Sequence, residues 1–164
     1  MKQNAIYPGS FDPLTNGHIH LVSRALEIFE SLTLAVAQNS GKAKVFSLPE
    51  RLAMLERVFQ KESRVFIESF DGLLVDFVRK KRDSVVLRGI RTNLDFEYEL
   101  ALAQANRHLS RDVETVFMLT DPEFSFLSSS MIREIVSLGG STQGMLPDFI
   151  EEALRERLKK GESS

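Results

Sequence analysis

Short apolar runs alternate along the chain with longer segments in which apolar residues recur every three or four positions. That alternation is the sequence form of repeated strand–helix units around a parallel sheet. Ala5 to Tyr7 is a first apolar run, stopped by Pro8-Gly9, and Leu32 to Ala37 is a second, stopped by polar Gln38 to Gly41. Arg64 to Ile67, Ser84 to Leu87 and Val113 to Met118 supply three more. The second and fourth runs are nearly continuous in apolar residues, as strands covered on both faces require.

Between them, Ile19, Val22, Ala25, Leu26 and Phe29 put one apolar stripe on a helix from about Gly17 to Glu30. Leu52, Leu55, Val58 and Phe59 mark a second helix, Leu73, Leu74, Phe77 and Val78 a third, and Phe96, Leu100, Ala103 and Leu109 a long fourth. Met131, Ile135 and Val136 mark a fifth, and Phe149, Ile150, Ala153, Leu154 and Leu158 a sixth that starts just after Pro147-Asp148. Right-handed crossovers narrow the expectation to an α/β fold: a single Rossmann-like doubly wound domain with a five-stranded parallel sheet and a C-terminal helix. It is expected over residues 1–160, with Gly161 to Ser164 as a frayed tail. In such sheets ligands sit beyond the carboxyl ends of the strands, where the strand order reverses.

The 164 residues, 43% hydrophobic and 27% charged, suit one globular domain and exclude a disordered or fibrous chain. Lys plus Arg total 21 against 23 Asp plus Glu, a net charge of -2, so no chain-wide positive field exists to hold nucleic acid. The absence of cysteine excludes disulfides, thiolate catalysis and Cys-ligated metal sites. The apolar stretch near the N-terminus is too short for a signal-peptide core, and no window approaches the ~18 to 20 apolar residues of a membrane span. A cytoplasmic protein without a membrane or nucleic-acid partner is the expectation.

Candidate chemistry falls into three clusters, each at the end of a predicted strand. After the first strand comes Tyr7-Pro8-Gly9-Ser10-Phe11-Asp12-Pro13-Leu14-Thr15-Asn16-Gly17-His18. Two prolines and two glycines fix a tight loop that feeds into a helix N-terminus, where unpaired N–H groups and the helix dipole attract anions. Ser10, Thr15 and His18 add hydroxyl and imidazole groups there. Capping explains any one of them alone; their density points to a phosphate-binding loop. Gly17 leaves room beside His18 for a ligand to approach the backbone. His20 reads as an exposed helix residue, and His108 as a favourable partner of the fourth helix's C-terminal dipole.

The second cluster is Arg88-Gly89-Ile90-Arg91, where a buried strand ends in two arginines flanking a glycine. Their forked guanidinium groups match phosphate oxygens, and phosphate ligation is the expected role. Salt bridging to Asp95, Glu97 or Glu99 is the competing explanation. The run Arg79-Lys80-Lys81-Arg82 is a solvated helix end with no binding role. In the third cluster, Phe124-Ser125-Phe126-Leu127-Ser128-Ser129-Ser130 opens a helix; one serine is an N-cap and two are left over for a second anion site. Lys42 and Lys44 follow the second strand, and one of them can reach a phosphate; spacing does not choose between them.

In order and spacing these clusters resemble the bacterial phosphopantetheine adenylyltransferases, a family of the nucleotidyltransferase superfamily. The resemblance covers residues 2 to 158 and is carried by Tyr7 to His18, Arg88 to Arg91, Asp95-Phe-Glu-Tyr-Glu99, Asn106-Arg107 and Leu127 to Ser130. It implies transfer of the adenylyl group of ATP to 4'-phosphopantetheine with Mg2+ assistance, giving dephospho-coenzyme A and pyrophosphate, the penultimate step of coenzyme A biosynthesis. It also implies that Ser10, Phe11, His18, Gly89, Ile90, Arg91, Glu99 and the residues Phe124, Ser125, Phe126, Leu127, Ser128, Ser129 and Ser130 contact ATP. Ser10, Lys42, Leu74 and Arg88 are implied to contact the acceptor, which selects Lys42 over Lys44 by analogy. His18, Lys42 and Arg91 are the expected sources of catalytic charge. A homohexamer and feedback inhibition by coenzyme A follow from the resemblance alone, and Mg2+ ligands are not assigned.

Departures are few: Ser10 stands where many members carry Thr, His20 where an acidic residue is common, and Thr92 where Ala is common; Asn93 and Leu94 also differ. Related adenylyl- and cytidylyltransferases are the nearest alternatives. The Arg-Thr-x-Gly-Ile-Ser-Thr-Thr segment usual in the cytidylyl branch is absent from Glu123 to Ser130. A non-catalytic nucleotide-binding regulator would need none of His18, Lys42, Arg88 and Arg91, all of which are present.

Overall fold

The computed structural model describes residues 4–38, 44–81 and 84–161; Lys42 and residues 162–164 of the expected tail lie outside them. Five parallel strands form one sheet in the order β3-β2-β1-β4-β5. They are β1 (Asn4–Gly9), β2 (Leu32–Ala37), β3 (Val65–Phe70), β4 (Ser84–Ile90) and β5 (Thr115–Leu119). The helices are α1 (Asn16–Ile28), α2 (Leu48–Phe59), α3 (Leu74–Arg79), α4 (Asn93–Leu109), α5 (Ser129–Ser137) and α6 (Asp148–Gly161), with a 3-10 turn at Pro122–Phe124 before α5. The expected doubly wound fold is present, and strand order reverses between β1 and β4.

Period-two alternation along the central strands sorts the helices into layers. Ala5, Tyr7, Leu32, Leu34, Val36, Val85 and Leu87 join the larger core with the buried faces of α1, α2, α5 and α6. Ile6, Ala35 and Val86 point the other way and meet Val75 and Val78 of α3 in a smaller cluster. The fourth helix departs from expectation: its 17 residues form a helix, but none is buried. Phe96 is 42% exposed and Leu109 57%, so the stripe predicted from periodicity is not buried within a single chain.

The first strand also departs, because Pro8 and Gly9 do not stop it. Both stay in register with β2, Pro8 opposite Ala35 and Gly9 opposite Val36, whereas pairing with β4 ends at Ile6 opposite Val86. Ala5 donates its N–H toward the β2 side, to the Ser31 carbonyl at 3.0 Å, so the alternation of a strand turns position 8 toward β4. Proline has no N–H to offer there. β4 meanwhile continues with β5 as far as Ile90 opposite Leu119. The two central strands therefore part at their carboxyl ends, and that gap positions the site.

Candidate active site

A cavity of about 280 Å3 fills the gap between β1 and β4. Its floor is Tyr7, Pro8 and Gly9 of β1 and Arg88 and Gly89 of β4, and its sides are the start of α1, Glu99 of α4 and the turn leading into α5. Arg88 replaces the missing rung of the ladder: its Nη1 donates to the Pro8 carbonyl at 3.0 Å.

The loop after β1 folds tightly because Phe11 adopts φ 47, in the left-handed region, which returns its ring beneath Gly9. A Cβ at position 9 would lie 2.9 Å from that ring, so only glycine fits. Phe11 is buried, with its ring edge-on to Tyr7 (5.6 Å between centroids) and to His18 (5.3 Å).

His18 is held by the cap of its own helix. Thr15 is the N-cap of α1; its Oγ1 accepts from the His18 N–H at 3.3 Å, and the Thr15 N–H donates to His18 Nδ1 at 3.1 Å. Thr15 Oγ1 also lies 2.9 Å from Nδ1. An acceptor at Nδ1 cannot carry a proton, so the neutral ring bears its hydrogen on Nε2. Burial, reinforced by the Arg91 guanidinium, pushes the His18 pKa down to about 4. His18 is therefore a neutral hydrogen-bond donor at physiological pH, which corrects the expectation that it supplies positive charge. Tyr7 remains a phenol as well, its pKa pushed up to about 12 by burial against the opposing pull of Arg88 and Arg91.

Both site arginines are already paired, as the competing explanation required. Arg88 forms a two-pronged ion pair with Glu99. Arg91 does the same with Asp95, Nε to Oδ2 at 2.7 Å and Nη2 to Oδ1 at 3.0 Å, and its Nη1 donates to the Leu127 carbonyl at 2.9 Å. Thr92 sets this up by capping α4, its Oγ1 accepting from the Asp95 N–H at 3.2 Å. Arg88, Arg91 and Glu99 nevertheless line the cavity. Phosphate ligation by these arginines thus requires an exchange or sharing of partners.

The serine-rich turn closes the far side. Ser128 caps α5 and accepts from the Met131 N–H at 3.1 Å, and Ser129 Oγ donates to the Pro13 carbonyl at 2.8 Å. Ser130 Oγ lies 3.4 Å from Arg133 Nη2, so among the three serines Ser129 and Ser130 are less spare than their number suggested. Phe124, Leu127, Ser128, Ser129 and Ser130 line the cavity with His18 and Gly89, whereas Ser10, Ser125 and Phe126 do not border it, and the Phe11 and Ile90 side chains are buried beneath. Leu74 borders a second cavity of about 170 Å3 with Leu102, Ala103 and Asn106, and Arg88 and Glu99 form the wall common to both.

Several contributors were not picked out by sequence reasoning. Thr120 and Leu21 line the main cavity; Thr120 directly follows β5, so the strand-end rule pointed to it. His20, expected as an unsupported surface residue, has its ring 4.8 Å from that of Phe124 and its Nε2 3.2 Å from Asp121 Oδ2. Beneath the loop, buried Asp12 accepts from the Val45 and Phe46 N–H groups at 3.0 and 2.9 Å, and buried Arg51 donates to the carbonyls of Ser10 at 2.7 Å and Ala37 at 3.2 Å. Among the described residues no group of three His, Asp or Glu side chains is placed to hold a metal ion.

Comparison with known proteins places this geometry. Residues 6–135 match the cytidylyltransferase-like family model. The chain is 47% identical over 159 residues to a phosphopantetheine adenylyltransferase of Geobacter metallireducens, covering 97% of this chain and 98% of that protein. It is 45% identical over 161 residues to one of Thermodesulfovibrio yellowstonii (98% and 100%) and 44% identical over 153 residues to one of Clostridium perfringens (93% and 93%). Among solved structures, a Plasmodium falciparum nicotinic acid mononucleotide adenylyltransferase in complex with NaAD superposes with a TM-score of 0.69 at 13% identity, over 98% of this chain and 96% of that one. The same fold recurs, with a TM-score of 0.68 at 14% identity, in half of a bifunctional Francisella tularensis NMN adenylyltransferase/ADP ribose pyrophosphatase.

Proposed function

Because the chain belongs to the phosphopantetheine adenylyltransferase family, we propose that its cleft binds ATP against His18, Arg91, Glu99 and the Phe124–Ser130 turn, and transfers the adenylyl group to 4'-phosphopantetheine held by Arg88. The observation that carries this reading is the neutral His18 Nε2–H donor, fixed by Thr15 and bordering the same cavity as Arg88 and Arg91. Phe11 and Ile90, whose side chains are buried, take part through the main chain. Ser10 and Lys42 complete the acceptor side by family resemblance, Lys42 lying outside the described residues.

The chemistry needs no strong base. The acceptor phosphate, with a second pKa of ~6, is largely dianionic at neutral pH. One of its oxygens bonds to the α-phosphorus of ATP while the bond from that phosphorus to the α,β-bridging oxygen breaks, and pyrophosphate leaves with the electron pair. What remains is to align two mutually repelling anions and to stabilise charge on the α-phosphate and the leaving group. Arg88 and Arg91 exchange carboxylate partners for phosphate oxygens, and His18 donates a hydrogen bond from Nε2. Mg2+ belongs to this proposal as the companion of ATP, supplying charge neutralisation. Asp95 and Glu99, the carboxylates of the α4 wall, are paired with Arg91 and Arg88, and no Mg2+ ligand is assigned to them.

The adjoining cavity beside Leu74 and Asn106 suits the pantetheine arm, and a product spanning both cavities gives coenzyme A a basis for feedback inhibition. The exposed apolar side chains of α4 and β5, including Leu94, Tyr98, Leu109 and Leu119, support association into a homohexamer. Cytoplasmic location is part of the same proposal; no described helix is long and apolar enough to cross a membrane.

The test is pyrophosphate release from ATP and Mg2+ with 4'-phosphopantetheine, run beside nicotinamide mononucleotide and glycerol 3-phosphate. Release with 4'-phosphopantetheine alone is expected; release with another acceptor would replace the substrate and keep the site. Inverted configuration at the α-phosphorus is the expected stereochemistry, and retention would rule out direct transfer. Sedimentation analysis checks the hexamer.

A further inference from the structure

Beneath the nucleotide loop lies a buried ionic cluster that no step above uses. Arg51, on the first turn of α2, is only 2% exposed, and Asp12 is fully buried. Arg51 Nη1 reaches two carbonyls, Ser10 at 2.7 Å and Ala37 at 3.2 Å, while its Nε has no hydrogen-bond partner. Asp12 accepts from the backbone at Val45 and Phe46, and Arg133 of α5 donates to the Asp12 carbonyl at 2.6 Å, with its Nη1 3.4 Å from the Asp12 carboxylate.

A guanidinium taken out of water with one donor left unpaired is a costly way to fill a buried site. What the arginine supplies is geometry. Ser10 directly follows β1 and Ala37 is the last residue of β2, so one planar group sets the spacing of two neighbouring strand exits at the ligand edge of the sheet. Asp12 then ties the same loop to the segment before α2, and Arg133 ties it to the helix that starts at the serine turn.

We propose that Arg51 is a positioning residue of the adenylyl-transfer site: by fixing the Ser10 and Ala37 carbonyls it holds the main chain of the two strand exits beside the cleft, and with it the Ser10 hydroxyl. The proposal rests on the reaction assigned above and on the place of Ser10 in it. A merely structural arginine would change folding stability and leave the rate per folded site unmoved.

The experiment is a double-mutant cycle on pyrophosphate release with saturating ATP and 4'-phosphopantetheine, using Arg51→Met, Arg51→Lys and Ser10→Ala singly and in combination. Arg51→Met is expected to lower kcat about thirtyfold with KM for ATP within about threefold, because a misplaced group costs alignment more than binding. Its thermal midpoint is expected to fall as well, because the Ser10 and Ala37 carbonyls lose their donor, so the rate is compared per folded site. Arg51→Lys, with a single cationic centre, recovers part of the loss. In the Ser10→Ala background the same replacements cost less than about threefold, since the group they position is gone. An undiminished kcat, or a loss that multiplies in full with that of Ser10→Ala, overturns the proposal. Should Arg51→Met fail to fold, the Arg51→Lys arm of the cycle decides by the same two outcomes. A wild type without turnover overturns the assigned reaction and this proposal together, whereas an active wild type with multiplicative losses overturns this proposal alone.

Discussion

On one side of the cleft α1 buries Leu21, Val22, Ala25 and Leu26 and α5 buries Ile132 and Val136, while on the other side α4 runs for 17 residues without burying one. The core-anchored side holds the neutral donor, His18, through a cap that uses backbone and hydroxyl groups only. The unburied side contributes Asp95 and Glu99, the partners that Arg91 and Arg88 must release or share when phosphate binds. Groups that must not move are set into the core, and groups that exchange partners sit on the wall with the weaker anchorage.

The largest effect expected from breaking this contrast is at His18. Replacing it with Ala should lower kcat about a thousandfold, the scale of one preorganised transition-state donor, with ATP affinity within about tenfold. Steady-state rates and ATP titration check both numbers, and an equal loss in both would mean that His18 serves binding. Its ionisation sharpens the point. With a folded pKa near 4 and an ordinary value of 6.5, the unfolded chain binds the proton first, so stability is retained above about pH 6.5 and falls as pH drops toward 4. The His18 contribution is at most about 3 kcal/mol across that window, and urea titrations at pH 7 and pH 4.5 should show a smaller difference for His18→Ala than for the wild type.

Leu26→Ala, on the core-anchored side, should cost about 3 kcal/mol of unfolding free energy and leave the rate per folded site unchanged. Thr15→Ala should cost about 1 kcal/mol through the lost cap and loosen the His18 tautomer, visible in imidazole nitrogen shifts by NMR. Leu100→Glu, on α4, should change the unfolding free energy of the dissociated chain by less than about 0.5 kcal/mol while weakening self-association in sedimentation runs. A large loss of chain stability there would show that α4 is anchored after all.

The strand–helix order, the reversal of strand order and the three clusters were legible because each follows from periodicity or from loop chemistry at a strand end. Pro8-Gly9 misled as a stop signal because proline interrupts only the ladder on its own N–H side; β2 still pairs on the other. The α4 stripe misled because periodicity reports that a face is apolar and not what covers it. Arg88 and Arg91 were found, but their carboxylate partners follow from where α4 lies, which spacing left open between three acidic residues. Arg51 carries no local signal of its contact with the Ser10 carbonyl, since 41 positions separate them in the sequence and only the fold brings the loop over the first turn of α2.

The paired arginines bear on how a nucleotide is captured. Two guanidinium groups faced by two carboxylates leave the described lining nearly neutral when seen from a Debye length away, about 8 Å at physiological salt. These two pairs exert little long-range pull on a polyanion, so what they contribute to recognition begins at contact, with a change of partners rather than with attraction. The association rate of ATP should accordingly vary only weakly between low and physiological ionic strength in stopped-flow measurements. A steep salt dependence would locate the capturing charge outside these two pairs.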